Sequence, residues 1–205
     1  MSLLEELPLL DEGTSAETTH YETGNWAKMP WCTSPMQASS AGFHPTGFGT
    51  TSGSYWSATS FLGGICTYKY VSGSGIGQRD IGLWVCLNAA EHNGYRVKFI
   101  DEPAEETTVK WKAVLYKVTG GVESVMAESG ELEPLIGRHF GLWNNGGTIE
   151  AWSQAEAGAW SLVVSHADST YTTGFIGIDG AGSNPALKEW KGASSVSGKL
   201  LGQVV

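Results

Sequence analysis

The sequence predicts an all-β protein, built as two antiparallel sheets packed face to face. Three observations carry this reading. Glycine occurs 28 times in 205 residues, scattered between short apolar runs as turn punctuation is, with no collagen-like period. The runs are rich in β-branched and aromatic residues, and several alternate with a period of two. With 41% hydrophobic residues and nine tryptophans, the chain supports a sizeable core without disulfides.

Residues 1–24 read as an N-terminal arm ahead of one domain over 25–205. LLEELPLL sets Leu3, Leu4, Leu7, Leu9 and Leu10 among acids, and DEGTSAETTH follows with almost no apolar content. That is an apolar knot on a polar leash, suited to docking or to an edge strand. Residues 25–53 read as a long structured loop, in which Trp26, Trp31, Phe43 and Phe48 are expected to cap an open end of the sandwich.

Strand signals then come at near-regular spacing: 54–62, 65–72, 81–88, 95–101, 109–118, 122–129, 139–145, 148–154, 159–168, 174–180 and 185–194. In YRVKFID, Tyr95, Val97 and Phe99 point one way and Arg96 and Lys98 the other. Asn93-Gly94, Gly120-Gly121 and Gly146-Gly147 mark tight turns. The last ten residues read as an edge strand or a tail. About eleven strands joined this way are antiparallel, and too many for one open sheet with one apolar face.

Composition excludes several function classes. The net charge of −9, with the basic residues dispersed, argues against nucleic acid and against anionic membranes. No run approaches a membrane helix, and the first residues lack the basic region of a signal peptide. Cys32, Cys66 and Cys86 form no CxxC pair and read as buried thiols. His20, His44, His92, His139 and His166 show no metal-ligand spacing. The serines lack a nucleophile elbow, and GSGIG precedes no helix.

The order of runs from Tyr55 onward resembles the concanavalin A-like lectin/glucanase jelly-roll. The informative stretches are IGLWVCLN with NGYRVKFID, VKWKAVLYKV with VESVMAES, HFGLWNNGGTIEAWSQ, and GFIGIDG with LKEW. The resemblance covers roughly three-quarters of the chain. It is similar to domains of minor tail and virion-surface proteins of actinobacteriophages, although no aspartate–aromatic–asparagine cluster precedes the NW at 25–26.

Glycosidases of this fold place two carboxylates on one strand facing a cleft, as acid and base or nucleophile. No such pair occurs. Glu102, Glu105 and Glu106 sit in one turn and Glu128, Glu131 and Glu133 in another, while Glu150 stands alone on a strand. A lectin-type site is expected to draw on Trp143, Asn144, Asn145 and Trp152, or on Trp84 and Asn88, all of which also suit ordinary core or turn roles. No cofactor is expected. The resemblance leaves calcium open, with Asp179 of GIDG as ligand, against the plainer reading of a turn aspartate.

Together these readings predict a non-enzymatic bacteriophage virion structural protein, a minor tail or capsid-surface (decoration) protein. It would be made in the host cytoplasm and carried on the virion. Its partners would be other virion proteins, gripped through the arm and early loops, and host-surface polysaccharide. Homo-oligomers stay open. The alternative is a carbohydrate-binding, lectin-like module; a second alternative is a family-16-like glycosidase with a non-standard site.

Overall fold

Alternation along each strand decides which side faces the core, and pairing decides which strands share that side. The computed structural model describes residues 9–11, 18–19, 25–39, 42–45, 51–72, 80–102, 110–132, 137–156, 158–181, 186–196 and 199–200. Among these, every regular element is a strand. The first seven are short: β1 (Leu9–Asp11), β2 (Thr18–Thr19), β3 (Trp26–Lys28), β4 (Gln37–Ser39), β5 (Gly42–His44), β6 (Ser52–Trp56) and β7 (Phe61–Leu62). The long strands follow as β8 (Ile65–Ser72), β9 (Asp80–Asn88), β10 (Asn93–Glu102), β11 (Lys110–Thr119), β12 (Val122–Glu128) and β13 (His139–Asn144). The chain continues with β14 (Thr148–Gln154), β15 (Trp160–Ala167), β16 (Thr173–Ala181), β17 (Ala186–Ala193), β18 (Ser195–Val196) and β19 (Lys199–Leu200).

The first sheet runs β15-β14-β13-β8-β17-β5-β4-β2, with β1 also on β17. The second runs β12-β11-β10-β9-β16-β6-β3, with β7 on β16, while β18 and β19 pair with each other. Every pairing between these strands is antiparallel. The two-sheet antiparallel sandwich is therefore as the alternation predicts.

Eleven of the strands, β6 and β8 to β17, coincide with the runs read from sequence. The run over 54–62 is divided, because Ser57 N–H donates to Asn25 O at 2.8 Å and turns the chain out of β6. The additional strands are two or three residues long, too short to show a period. Their partners, not their own pattern, make them strands.

Leu9 pairs with Lys191 and Thr18 with Ala38, so these parts of the expected arm are laid into the first sheet. Leu9 and Leu10 are thus strand residues, whereas Leu3, Leu4 and Leu7 lie outside the described residues. Phe48, Glu105, Glu106, Glu133 and His20 lie outside them too. Trp26 and Phe43, expected at an open end, are in the core, with Trp26 ring centroids 5.5 Å from Trp56 and 5.4 Å from Trp190.

The main core lies between the sheets. Tyr95, Val97 and Phe99 meet Tyr68, Phe140 and Leu142, with Phe99 and Phe140 centroids 4.4 Å apart. Cys32, Cys66 and Cys86 are free and buried. Burial pushes the Cys32 thiol up to about 12 and the Cys86 thiol up to about 11. These are packing residues held as thiols.

The second sheet's outer face is also covered. Met29 and Cys32 pack on Trp84, Leu87 and Val118, and Trp31 stacks on His92 at 3.5 Å with 7° between planes. Beneath them Asp179 Oδ2 accepts the Trp84 indole N–H at 2.9 Å, and its Oδ1 accepts Arg96 Nη2 at 2.7 Å and Nε at 3.2 Å. Arg96 also donates to Glu123, which accepts from Lys98 at 2.6 Å. Gly82 makes room for this network: a Cβ there would lie 2.0 Å from Asp179 Oδ1 and 2.7 Å from Arg96 Nε.

Candidate functional site

The first sheet's outer face holds its half-exposed aromatic side chains in register. In β13, Phe140 and Leu142 are core residues, so Gly141 and Trp143 face outward. In β14, Ile149 and Ala151 are core residues, so Glu150 and Trp152 face outward. Cα pairing then lines residues up across the strands. Ser165, Glu150, Trp143, Ile65 and Ala193 form one row. Leu162, Trp152, Gly141, Thr67 and Lys191 form the next. Trp160, Gln154, His139, Lys69 and Lys188 form a third. Five strands make this a surface roughly 19 Å wide at the usual strand spacing.

Trp143, Trp152 and Trp160 pack partly buried around Ile65 and Ala193. Glu150 is fixed between them: Oε2 accepts the Trp152 indole N–H at 3.0 Å and Oε1 accepts Asn145 Nδ2 at 2.9 Å. Asn145 is itself held, its Oδ1 accepting Thr148 N–H at 3.1 Å across the tight turn. Burial raises the Glu150 pKa, and the Trp152 N–H draws it back down. The result is a set of aromatic faces around a carboxylate with a fixed orientation. Indole faces offer apolar area to a sugar ring, and a fixed carboxylate accepts hydrogen bonds from its hydroxyls.

Of the residues singled out from sequence, Trp143, Asn145 and Trp152 come together here. Asn144 does not, because as Trp143's neighbour it points the other way. It is buried, and its Nδ2 donates to Tyr171 O at 2.9 Å. Trp84 is on the other sheet, 1% exposed beneath the 29–32 segment, and offers no platform. Asn88 is exposed but caps a turn, its Oδ1 accepting Ala90 and Glu91 N–H at 3.2 Å. Asp179 is not placed as a calcium ligand: Trp84 and Arg96 occupy both its oxygens, and a guanidinium repels a cation. Among the described residues, no group of three or more His, Cys, Asp or Glu is arranged to hold a metal ion.

Trp160 was not singled out from sequence. Its strand, AWSLVVSHAD, is no more tryptophan-rich than others, and only pairing with Gln154 brings it to this face. Glu150 was legible as a lone strand carboxylate, and its partners could have been suspected from Asn145 and Trp152 lying within five residues. Glu150 is the one acid on β13, β14 and β15, where hydrolysis of a glycosidic bond needs two.

Comparison with solved structures agrees with the fold. The fold is that of the concanavalin A-like jelly-roll. A carbohydrate-binding module, CBM66 from Bacillus subtilis, superposes with a TM-score of 0.64 at 17% identity, over 83% of this chain and 96% of that one. The exoplasmic/lumenal domain of VIP36 in a form bound to Ca2+ and Man2 gives 0.63 at 12% identity, over 92% and 88%. A legume lectin-like domain from Entamoeba histolytica gives 0.60 at 10% identity, over 88% and 97%. No protein-family model and no curated protein sequence matches the chain.

Proposed function

We propose that this jelly-roll is a non-catalytic carbohydrate-binding module, with Trp143, Trp152 and Trp160 stacking sugar rings and Glu150 accepting hydroxyl hydrogen bonds. The observation that carries this is the register that brings the tryptophans together around a carboxylate held by Asn145 and Trp152. Structural similarity to a carbohydrate-binding module and to lectin-like domains supports it at the level of the fold. It displaces the virion-assembly role from first place, since the arm that role relied on is in part sheet. It also stands ahead of a glycosidase, for want of a second carboxylate on these strands.

Calorimetry of the intact chain against a panel of polysaccharides tests it. Trp152→Ala should weaken binding on the order of tenfold or more while far-ultraviolet circular dichroism and a cooperative thermal transition show the variant folded; truncating an aromatic anchor of this kind costs about 1.5–3 kcal/mol. Unchanged affinity, or no ligand in the panel, overturns the reading. Hydrolysis of a bound polysaccharide would overturn its non-catalytic half.

Display on a bacteriophage particle is proposed as the setting, supported by the strand-order resemblance to virion-surface domains. Immunogold labelling of purified particles is its test, and unlabelled particles would reject it.

A further inference from the structure

The three tryptophans on the outer face of the first sheet stand on one straight diagonal. Trp160 on β15 is the Cα partner of Gln154 on β14, and Trp152 lies two residues back along β14. Trp152 is the partner of Gly141 on β13, and Trp143 lies two residues further along β13, opposite Glu150. Each step therefore crosses one strand and shifts one row in the same sense. Diagonal neighbours of this kind sit about 7–8 Å apart, so the two steps span roughly 15 Å, a length that three to four linked sugar rings cover. The three side chains pack into one cluster with Ile65 and Ala193.

The line runs from rim to rim of this part of the sheet. Among the described residues β15 is the last strand in the sheet order, so Trp160 stands at the edge. Trp143 stands one residue from the end of β13, where the chain turns through 145–147. Glu150 lies on one flank of the line, between Trp143 and Trp152, and accepts from both Asn145 and Trp152. Gln154 lies on the other flank, between Trp152 and Trp160, with its Nε2 donating to Gly158 O at 2.9 Å.

A single sugar or a chain end would use one indole and leave the others idle. A coiled chain would leave the line after one ring. An extended chain matches it, with ring faces on successive indoles and hydroxyls at the ring edges meeting Glu150 and Gln154.

We infer that the ligand of this face is an extended, unbranched polysaccharide, held along its interior rather than by its end. This rests on the carbohydrate-binding reading above and specifies its substrate class.

The test is calorimetry of the intact chain against cello-, xylo-, manno- and chito-oligosaccharides of two to six residues, with the coiled malto-series beside them. In at least one extended series the tetrasaccharide should bind about tenfold tighter than the disaccharide, with little further gain beyond it. Reducing the terminal ring of the hexasaccharide to its alditol should leave affinity unchanged, because the remaining closed rings still cover the line. Trp160→Ala should remove the gain from the longer oligosaccharides and leave the disaccharide as it was, while Trp160→Phe keeps most of it. Affinity that needs Trp152 but ignores chain length, or is lost in the alditol, would overturn the interior binding and leave the carbohydrate-binding reading standing. So would binding to the malto-series alone. No binding to any series would overturn both.

Discussion

The Glu150 carboxylate accepts the indole N–H of Trp152, two residues along the same strand, at 3.0 Å. Side chains two apart on a strand share a face, so the acid fixes the ring that lies beside it. With Asn145 on its other oxygen, Glu150 serves as a positioning residue for the aromatic face as well as an acceptor.

Glu150→Gln keeps the shape but sets an NH2 group against one of the two donors. Affinity for a polysaccharide should fall about tenfold, since a misplaced hydrogen bond costs roughly 1–3 kcal/mol. Burial raises the Glu150 pKa, so the acceptor is lost at a higher pH than for an ordinary carboxylate. Wild-type affinity should therefore decline as pH is lowered through that raised value, while the glutamine variant stays flat. Calorimetry across pH would show this, and parallel profiles would contradict it.

Asp168 ties the 168–171 segment to the second sheet. Burial works against its charge, but it accepts from the Tyr95 hydroxyl, from Thr170 N–H at 2.8 Å and from Lys117 at 2.9 Å. The balance holds its carboxyl far below the usual range. A depressed carboxylate contributes stability above its unfolded pKa of about 4, lost as pH falls through the folded value. Asp168→Asn should lower stability by about 1–3 kcal/mol at neutral pH. The difference from wild type should shrink steadily in acid below about pH 4, as followed by urea denaturation.

Asp179 is buried, and removing it leaves Arg96 Nε and Nη2 without their acceptor, with Glu123 still held by Nη1. Asp179→Ala should cost about 3–5 kcal/mol, as breaking a buried ion pair does. Gly82→Ala should destabilise as well, since its new methyl would overlap Asp179 Oδ1. Added Ca2+ should bring no rise in Tm that depends on Asp179, because the Asp179 oxygens are taken. A calcium-dependent rise in Tm that Asp179→Ala abolishes would contradict this assignment.

His92 stacks on Trp31, and burial followed by the Arg96 charge lowers its pKa. Its neutral form is thus favoured by folding. The stability it contributes is present above the unfolded value of about 6.5 and is lost as pH falls below it. Trp31 fluorescence should change over that acid range in the wild type. His92→Phe, which keeps a ring and removes the titration, should abolish the change; its persistence would place the transition elsewhere.

The sequence by itself determined the long strands and their two sides. Tyr95, Val97 and Phe99 against Arg96 and Lys98 is a local pattern, so β10 and its wet face could be read without knowing any neighbour. The same rule already separates Asn144 from Trp143, because adjacent strand residues face opposite ways. Only the tertiary structure decided what lies on each wet face. Trp84 and Trp152 both sit outward on strands, yet the 29–32 segment buries the first and nothing comparable covers the second among the described residues. Register across β15, β14, β13, β8 and β17 assembled Trp160, Trp152, Trp143 and the lysines, although Lys69 and Lys188 are far apart in the chain. Alternation is written in neighbouring residues, whereas exposure and pairing depend on segments distant in sequence, which no local pattern encodes.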